Sequence, residues 1–240
     1  MLVSTRAIVL SKQRFKDHDL IVTCYTRHFG RKSYILKGIL RSKKAKLKPA
    51  LFQPFSLLDI EADHKDSRSL QYIREARIYQ STPSIQTDVI KGSIVLFLSE
   101  ILYSILREEE EREDLYRFIE TAIVWFESHE TNSNFHLLFL LEITKYLGFY
   151  PDLGNDAPYF DLQEGRGQQT GTGRYLIEGE NLTRLKQVLG IKFDVNKKIR
   201  MSASQKREFL GMILLYFKLH LDGFKEPKSL AVFNEVFADQ

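Results

Sequence analysis

The chain is 240 residues long, 43% hydrophobic and 28% charged, with a net charge of +4. That composition excludes a disordered chain, and the length admits one large domain or two smaller ones. A single cysteine, Cys24, excludes an intramolecular disulfide and a structural zinc site built from several thiolates, which fits a reducing cytoplasm.

The first ten residues, MLVSTRAIVL, lack the layout of a secretory signal. The longest apolar run, Ile94 to Leu106, contains Ser99 and Glu100 and falls short of the roughly 20 residues needed to cross a bilayer. Charge is unevenly placed: residues 1–80 hold 17 Lys and Arg against 7 Asp and Glu, a balance of +10, and residues 81–240 carry −6. Such asymmetry directs the basic segment toward a polyanion.

In chain order, five segments rich in Val, Ile, Tyr, Phe and Thr read as strands: Thr5–Leu10, Leu20–Thr26, Ser33–Lys37, Phe55–Ala62 and Leu70–Tyr79. Turns are predicted at Lys16–Asp19, His28–Arg31, Arg41–Pro49 and Asp63–Ser69. Five strands in about 80 residues predict an OB-type β-barrel.

Near Thr82-Pro83-Ser84 the hydrophobic period changes from 2 to 3.6, which places a domain boundary there and predicts an α+β protein: a barrel over 1–80, then a mainly helical domain over 81–240. Helices are predicted at Ser84–Arg107 and at Arg112–Phe126, with Leu115, Phe118, Ile119, Ala122 and Phe126 on one face. The acidic run Glu108–Asp114 suits the second helix's N-terminus.

Phe135–Leu147 is apolar nearly all round and predicts a buried helix, capped by Gly148 and stopped by Pro151. Glu164–Gly173 is glycine-rich without the Lys-Ser/Thr ending of a P-loop, and reads as a surface loop. Ser202 and Gln205 form a capping box ahead of Phe209, Met212, Ile213, Tyr216 and His220. A closing helix from about Pro227 sets Leu230, Val232, Phe233, Val236 and Phe237 at spacings that can dock on a bundle.

The most informative segment is Lys37 to Lys48, where Lys37, Arg41, Lys43, Lys44, Lys46 and Lys48 are cationic and no acid intervenes. Neutralised phosphates release counterions, so such a run suits a nucleic-acid backbone. Arg14, Arg27, Arg31 and Lys32 extend the charge over the barrel and are candidates for the same contact. Phe15, Tyr25, Phe29, Tyr34 and Tyr72 supply aromatics for stacking, although strand aromatics usually serve the core.

Several of these residues form an ordered series. Arg6-Ala7-Ile8-Val9-Leu10, then Tyr25-Thr26-Arg27-His28-Phe29-Gly30, Lys37-Gly38 with the basic loop, Gln53-Pro54-Phe55, and Leu147-Gly148-Phe149-Tyr150-Pro151-Asp152-Leu153 together resemble the RecO recombination-mediator family. The resemblance spans both halves of the chain and is more distinctive in the first. It implies an OB-fold followed by a helical domain, binding of single- and double-stranded DNA, and strand annealing. It also implies partnership with RecR and single-stranded-DNA-binding protein, so that RecA can be loaded onto coated strands in recombinational DNA repair.

The sequence departs from the family pattern in one place. Many members carry a four-cysteine zinc element after the Leu-Gly-x-x-Pro segment, whereas Gly154–Tyr175 contains no Cys, so no zinc is expected. The six histidines show no metalloprotease spacing, and no Gly-x-Ser-x-Gly elbow is present. Asp17, Asp19, Asp59, Glu61 and Asp63 leave a metal-dependent nuclease as one alternative, and an RNA-binding OB protein is another. The expectation is a non-enzymatic protein without cofactor or metal. For the acidic, apolar tail of single-stranded-DNA-binding protein, Lys145, Lys206 and Arg207 are the candidate contacts on or beside apolar helices.

Overall fold

The fourteen-residue strand β1 (Leu2–Phe15) is shared by two neighbours. Its first half pairs antiparallel with β4 (Leu57–Asp63), from Leu2 opposite Asp63 to Ile8 opposite Leu57. Its second half pairs with β2 (Asp19–Thr26), and a bulge between Val9 and Ser11 bends the strand from one partner to the other. In this computed structural model residues 1–41, 47–65, 67–107, 111–130, 134–154, 156–191 and 199–237 are described.

β2 continues antiparallel into β3 (Gly30–Leu36), and β4 into β5 (Leu70–Gln80). A parallel pairing of β3 with β5, Ser33–Ile35 against Leu70–Tyr72, closes the barrel in the order β1-β2-β3-β5-β4. This is the OB-type arrangement; β1 is eight residues longer than the periodicity alone marks, and β5 is one residue longer. β4 starts later than expected because Phe55, buried and at φ 62, still belongs to the entering turn.

Alternate residues Val3, Ala7 and Val9 join Val22, Cys24, Tyr34, Leu58 and Ile60 in the barrel core, and a 3₁₀ turn, Pro49–Leu51, delivers Phe52 into it. Burial pushes the Cys24 thiol up, so it behaves as a small apolar side chain.

The chain divides into two compact units, Met1–Thr131 with Pro227–Ser229, and Asn132–Glu226 with Leu230–Gln240. Among the described residues the first therefore takes in three α-helices besides the barrel. The segment expected as one helix from Ser84 is two, α1 (Pro83–Thr87) and α2 (Val89–Ile105), because the Asp88 carboxylate accepts the Ile90 and Lys91 N–H groups and starts a new helix. α3 (Glu113–Ser128) buries Leu115, Phe118, Ile119, Ala122 and Phe126 as its pattern requires, with Glu113 and Asp114 in its first turn.

In the second unit α4 (Phe135–Leu147) is buried on every side from Phe135 to Thr144 and ends at Gly148, whose φ of 86 suits a residue without Cβ. Three residues of the glycine-rich segment that follows join a small sheet, and the rest is turn and coil as expected of a loop: β6 (Tyr159–Asp161) lies between β7 (Arg166–Gln168) and β8 (Leu176–Ile177). Its organiser is Asp161, buried, whose Oδ1 accepts the Gln163 and Glu164 N–H groups at 2.8 and 3.2 Å.

Short strands without hydrophobic alternation give no periodic signal, which is why the sequence reads as loop there. α5 (Gly179–Val188), α6 (Ala203–His220) and α7 (Leu230–Val236) complete the unit. The Ser202–Gln205 capping box forms in both directions, at 3.2 and 3.0 Å. On α7 Phe233 is buried, but Val232 is 56% exposed and does not share its face. Among the described residues no helix is long and apolar enough to cross a membrane.

Candidate nucleic-acid interface

The basic segment leaves β3 at Lys37 and is fastened by its apolar residues. Ile39 is buried in the barrel core, and Leu40, Leu47 and Leu51 pack against it, whereas Lys37, Arg41 and Lys48 are exposed. Gly38, at φ 65, turns the chain so that its N–H reaches Asp19 Oδ1 at 2.7 Å, and the Leu40 N–H reaches the His18 carbonyl at 3.0 Å. The segment is thus tied to the β1–β2 turn, where Arg14 is also exposed. Lys43, Lys44 and Lys46 lie outside the described residues.

On the outer face of the barrel the Lys37 ammonium lies 5.2 Å from the centre of the Tyr72 ring, and the Arg68 guanidinium lies 5.2 Å from the same ring. The parallel β3–β5 seam positions them, since Tyr72 stands opposite Ile35, two residues before Lys37. Cation–π attraction holds both charges close to the sheet surface.

Two other candidate cations, Arg27 and Arg31, have partners within the protein. Arg27 pairs with Glu113 at the start of α3, and Arg27 and Arg117 together hold the Glu113 carboxyl below its usual range. Arg31 donates to the Tyr103 carbonyl at 2.5 Å and lies over that ring at 4.7 Å, facing α2. Lys32 remains at the barrel end near the β2–β3 turn. Of the aromatics, Tyr25 and Tyr34 are buried; Tyr72 is partly exposed.

Three of the candidate acids of the barrel have partners within it. Asp59 pairs with Arg6 at 3.7 Å and Arg77 at 3.2 Å, Asp63 with Arg74 at 3.7 Å, and Asp19 accepts the Gly38 N–H. Among the described residues no group of three or more His, Cys, Asp or Glu is arranged to hold a metal ion.

In the helical unit Lys206 and Arg207, early in α6, line a small cleft with His136, Leu210, Phe233 and Phe237. Lys145 is not part of it: its ammonium bonds the Glu142 carboxylate at 2.8 Å and lies over Tyr150 at 4.6 Å. His136 is buried and touches Phe233 and Phe237; burial, with the Lys206 charge, pushes its pKa down to about 3, so it is neutral at pH 7.

Comparison with known proteins settles what this barrel and helical unit belong to. Residues 1–82 match the family model described as Recombination protein O N terminal, and residues 86–230 match Recombination protein O C terminal. The chain belongs to the RecO family of recombination and DNA repair proteins.

Similar proteins named DNA repair protein RecO come from Christiangramia forsetii, 42% identical over 238 residues, and Flavobacterium johnsoniae, 43% identical over 239 residues. Another from Bacteroides fragilis is 34% identical over 242 residues. Each alignment covers 99% of this chain and 100% of the relative. Lys65 and Arg68, in the β4–β5 connection, are further cations beside this surface. Their only sequence signal is a polar turn, and the proximity of Arg68 to Tyr72 depends on how β5 pairs with β3.

Proposed function

We propose that this RecO protein is a recombination mediator that binds single- and double-stranded DNA through its barrel, residues 1–80, and anneals complementary strands. It works by binding, not by bond chemistry, and needs no cofactor. The observation that carries this reading is the basic segment itself: Ile39, Leu40 and Leu47 anchor it, so Lys37, Arg41 and Lys48 are offered to solvent at one end of the barrel. Phosphate neutralisation there lowers the repulsion between two strands, which is how annealing proceeds without ATP. The partners of the barrel acids speak against the nuclease alternative.

The test is a strand-annealing assay with and without single-stranded-DNA-binding protein, run with the wild type and with Lys37→Ala/Arg41→Ala/Lys48→Ala. Loss of annealing with a salt slope shallower by about 0.7 per removed contact is expected. Unchanged affinity and slope overturn the assignment. Competition between matched DNA and RNA oligomers decides the nucleic acid.

The cleft of the helical unit supports a second contact, to the acidic, apolar tail of single-stranded-DNA-binding protein, with Lys206 and Arg207 meeting its acids. Titration with a labelled tail peptide should weaken at least tenfold in Lys206→Ala/Arg207→Ala, while Lys145→Ala, committed to Glu142, leaves binding intact. RecR and, through it, RecA loading in the cytoplasm complete the proposed role.

A further inference from the structure

At the end of the barrel remote from Gly38, the β2–β3 turn and the β4–β5 connection enclose an open groove of about 920 Å³. It is lined by His28, Phe29, Lys32, His64, Lys65 and Arg68, with Glu111 as the one described carboxylate. Glu111 is engaged with His28 Nδ1 at 3.2 Å. The volume falls in the range that holds a drug-sized ligand, which gives room for a nucleotide or two of extended strand.

The groove is built, not incidental. Gln71 is buried, 5% exposed, and spends its amide on the connection: its Oε1 accepts the Lys65 N–H at 2.8 Å, and its Nε2 donates to the Lys65 and Arg68 carbonyls at 3.0 and 2.7 Å. The Arg68 N–H closes the turn on the Lys65 carbonyl at 3.0 Å. The two cations therefore stand on a backbone fixed by a core side chain. Opposite them, the Phe29 ring meets His64 edge-on at 4.8 Å, and the Tyr34 hydroxyl and His64 Nε2 lie 3.0 Å apart, which fixes the wall.

Arg68 belongs both to this groove and to the Tyr72 ring, whose other cation is Lys37. On the β3–β5 seam the Tyr72 ring thus joins Lys37, at the start of the basic segment, to Arg68, at the groove.

We propose that this seam is the path of one single strand, and that the groove is a second phosphodiester subsite holding the strand where it leaves the barrel. The proposal rests on the reading that the barrel binds nucleic acid. Gln71 is a positioning residue in it, and Lys65 and Arg68 are the phosphate contacts.

The experiment is fluorescence anisotropy of labelled oligothymidylates with the full chain across salt concentrations, comparing wild type with Lys65→Ala/Arg68→Ala. Both substitutions leave the backbone turn and the buried Gln71 in place, and circular dichroism checks the fold. The variant should bind at least tenfold more weakly, with a salt slope shallower by about 1.4, two single-strand contacts at 0.7 each. Wild-type binding with the same affinity and slope in the variant overturns the groove and leaves the barrel reading standing. Absence of salt-dependent binding in the wild type overturns the barrel reading itself.

Discussion

The Lys91 ammonium donates to the Phe126 carbonyl over 2.8 Å and so caps the last turn of α3 from within α2. It also reaches Ser84 Oγ at 2.8 Å and the Glu127 carbonyl at 3.0 Å, while the Glu127 carboxylate accepts the Ser84 and Ile85 N–H groups at the start of α1. Three helix ends are joined through one lysine and one glutamate.

Lys91→Met keeps the apolar stem but leaves these buried carbonyls without their donor. A loss of about 2–3 kcal/mol is expected, read as a lower urea midpoint at unchanged slope. A midpoint equal to wild type would show that water replaces the ammonium at no cost.

Glycine has two contrasting roles in the helical unit. A Cβ on Gly167 would stand 2.1 Å from the Leu153 carbonyl oxygen and 2.7 Å from Ala157 Cβ, so the chain of β7 passes too close for any side chain. Gly167→Ala should cost about 3 kcal/mol. Gly211 lies within α6 with nothing within 4 Å of its Cβ position, and Gly211→Ala should gain about 0.5–1 kcal/mol. Thermal melts of both variants measure the opposite signs.

His136 makes stability depend on acid. Its folded pKa of about 3 lies below the unfolded value of 6.5, so the unfolded chain takes up the proton first. The contribution is complete above pH 6.5 and is lost as the pH falls toward 3, with a slope approaching about 1.4 kcal/mol per pH unit. His136→Phe, placed among Phe233 and Phe237, removes that slope. Denaturant titrations at pH 7 and pH 4.5 should show the wild type losing more than the variant; equal losses would mean that His136 titrates normally.

Arg31 should separate stability from binding. Arg31→Ala removes a hydrogen bond and a cation–π contact to Tyr103 and should cost about 1–2 kcal/mol. DNA affinity and its salt slope should stay near wild type, whereas Arg41→Ala, exposed beside the β1–β2 turn, flattens the slope by about 0.7. A flattened slope in Arg31→Ala would return that residue to the interface.

The barrel was legible because its strands alternate and its charges cluster, and α3, α4 and α6 were legible from periodicity and caps such as Ser202 with Gln205. The start of α2 was not, since Asp88 reads as one polar residue inside a long helical pattern until its carboxylate is seen on the Ile90 and Lys91 N–H groups. The small sheet was hidden for another reason: its strands of two and three residues are too short to show alternation, and the turn between β6 and β7 is held by the Asp161 carboxylate. For the interface, sequence supplied the cations but not their commitments. Arg27 and Arg41 look alike in a charge count, and only the approach of Glu113 distinguishes them.

Closure of the barrel through the β3–β5 pairing also decides how other proteins can meet it. An open sheet offers unpaired N–H and C=O groups on which a foreign strand can add, and a second copy of the same chain is the nearest such strand. Where β3 and β5 pair, Ser33–Ile35 against Leu70–Tyr72, the closed order β1-β2-β3-β5-β4 presents no such template, and the outer strands of the small sheet, β7 and β8, are three and two residues long. At that seam, recognition by another protein falls to side chains and turns, and a second copy finds no free strand edge there.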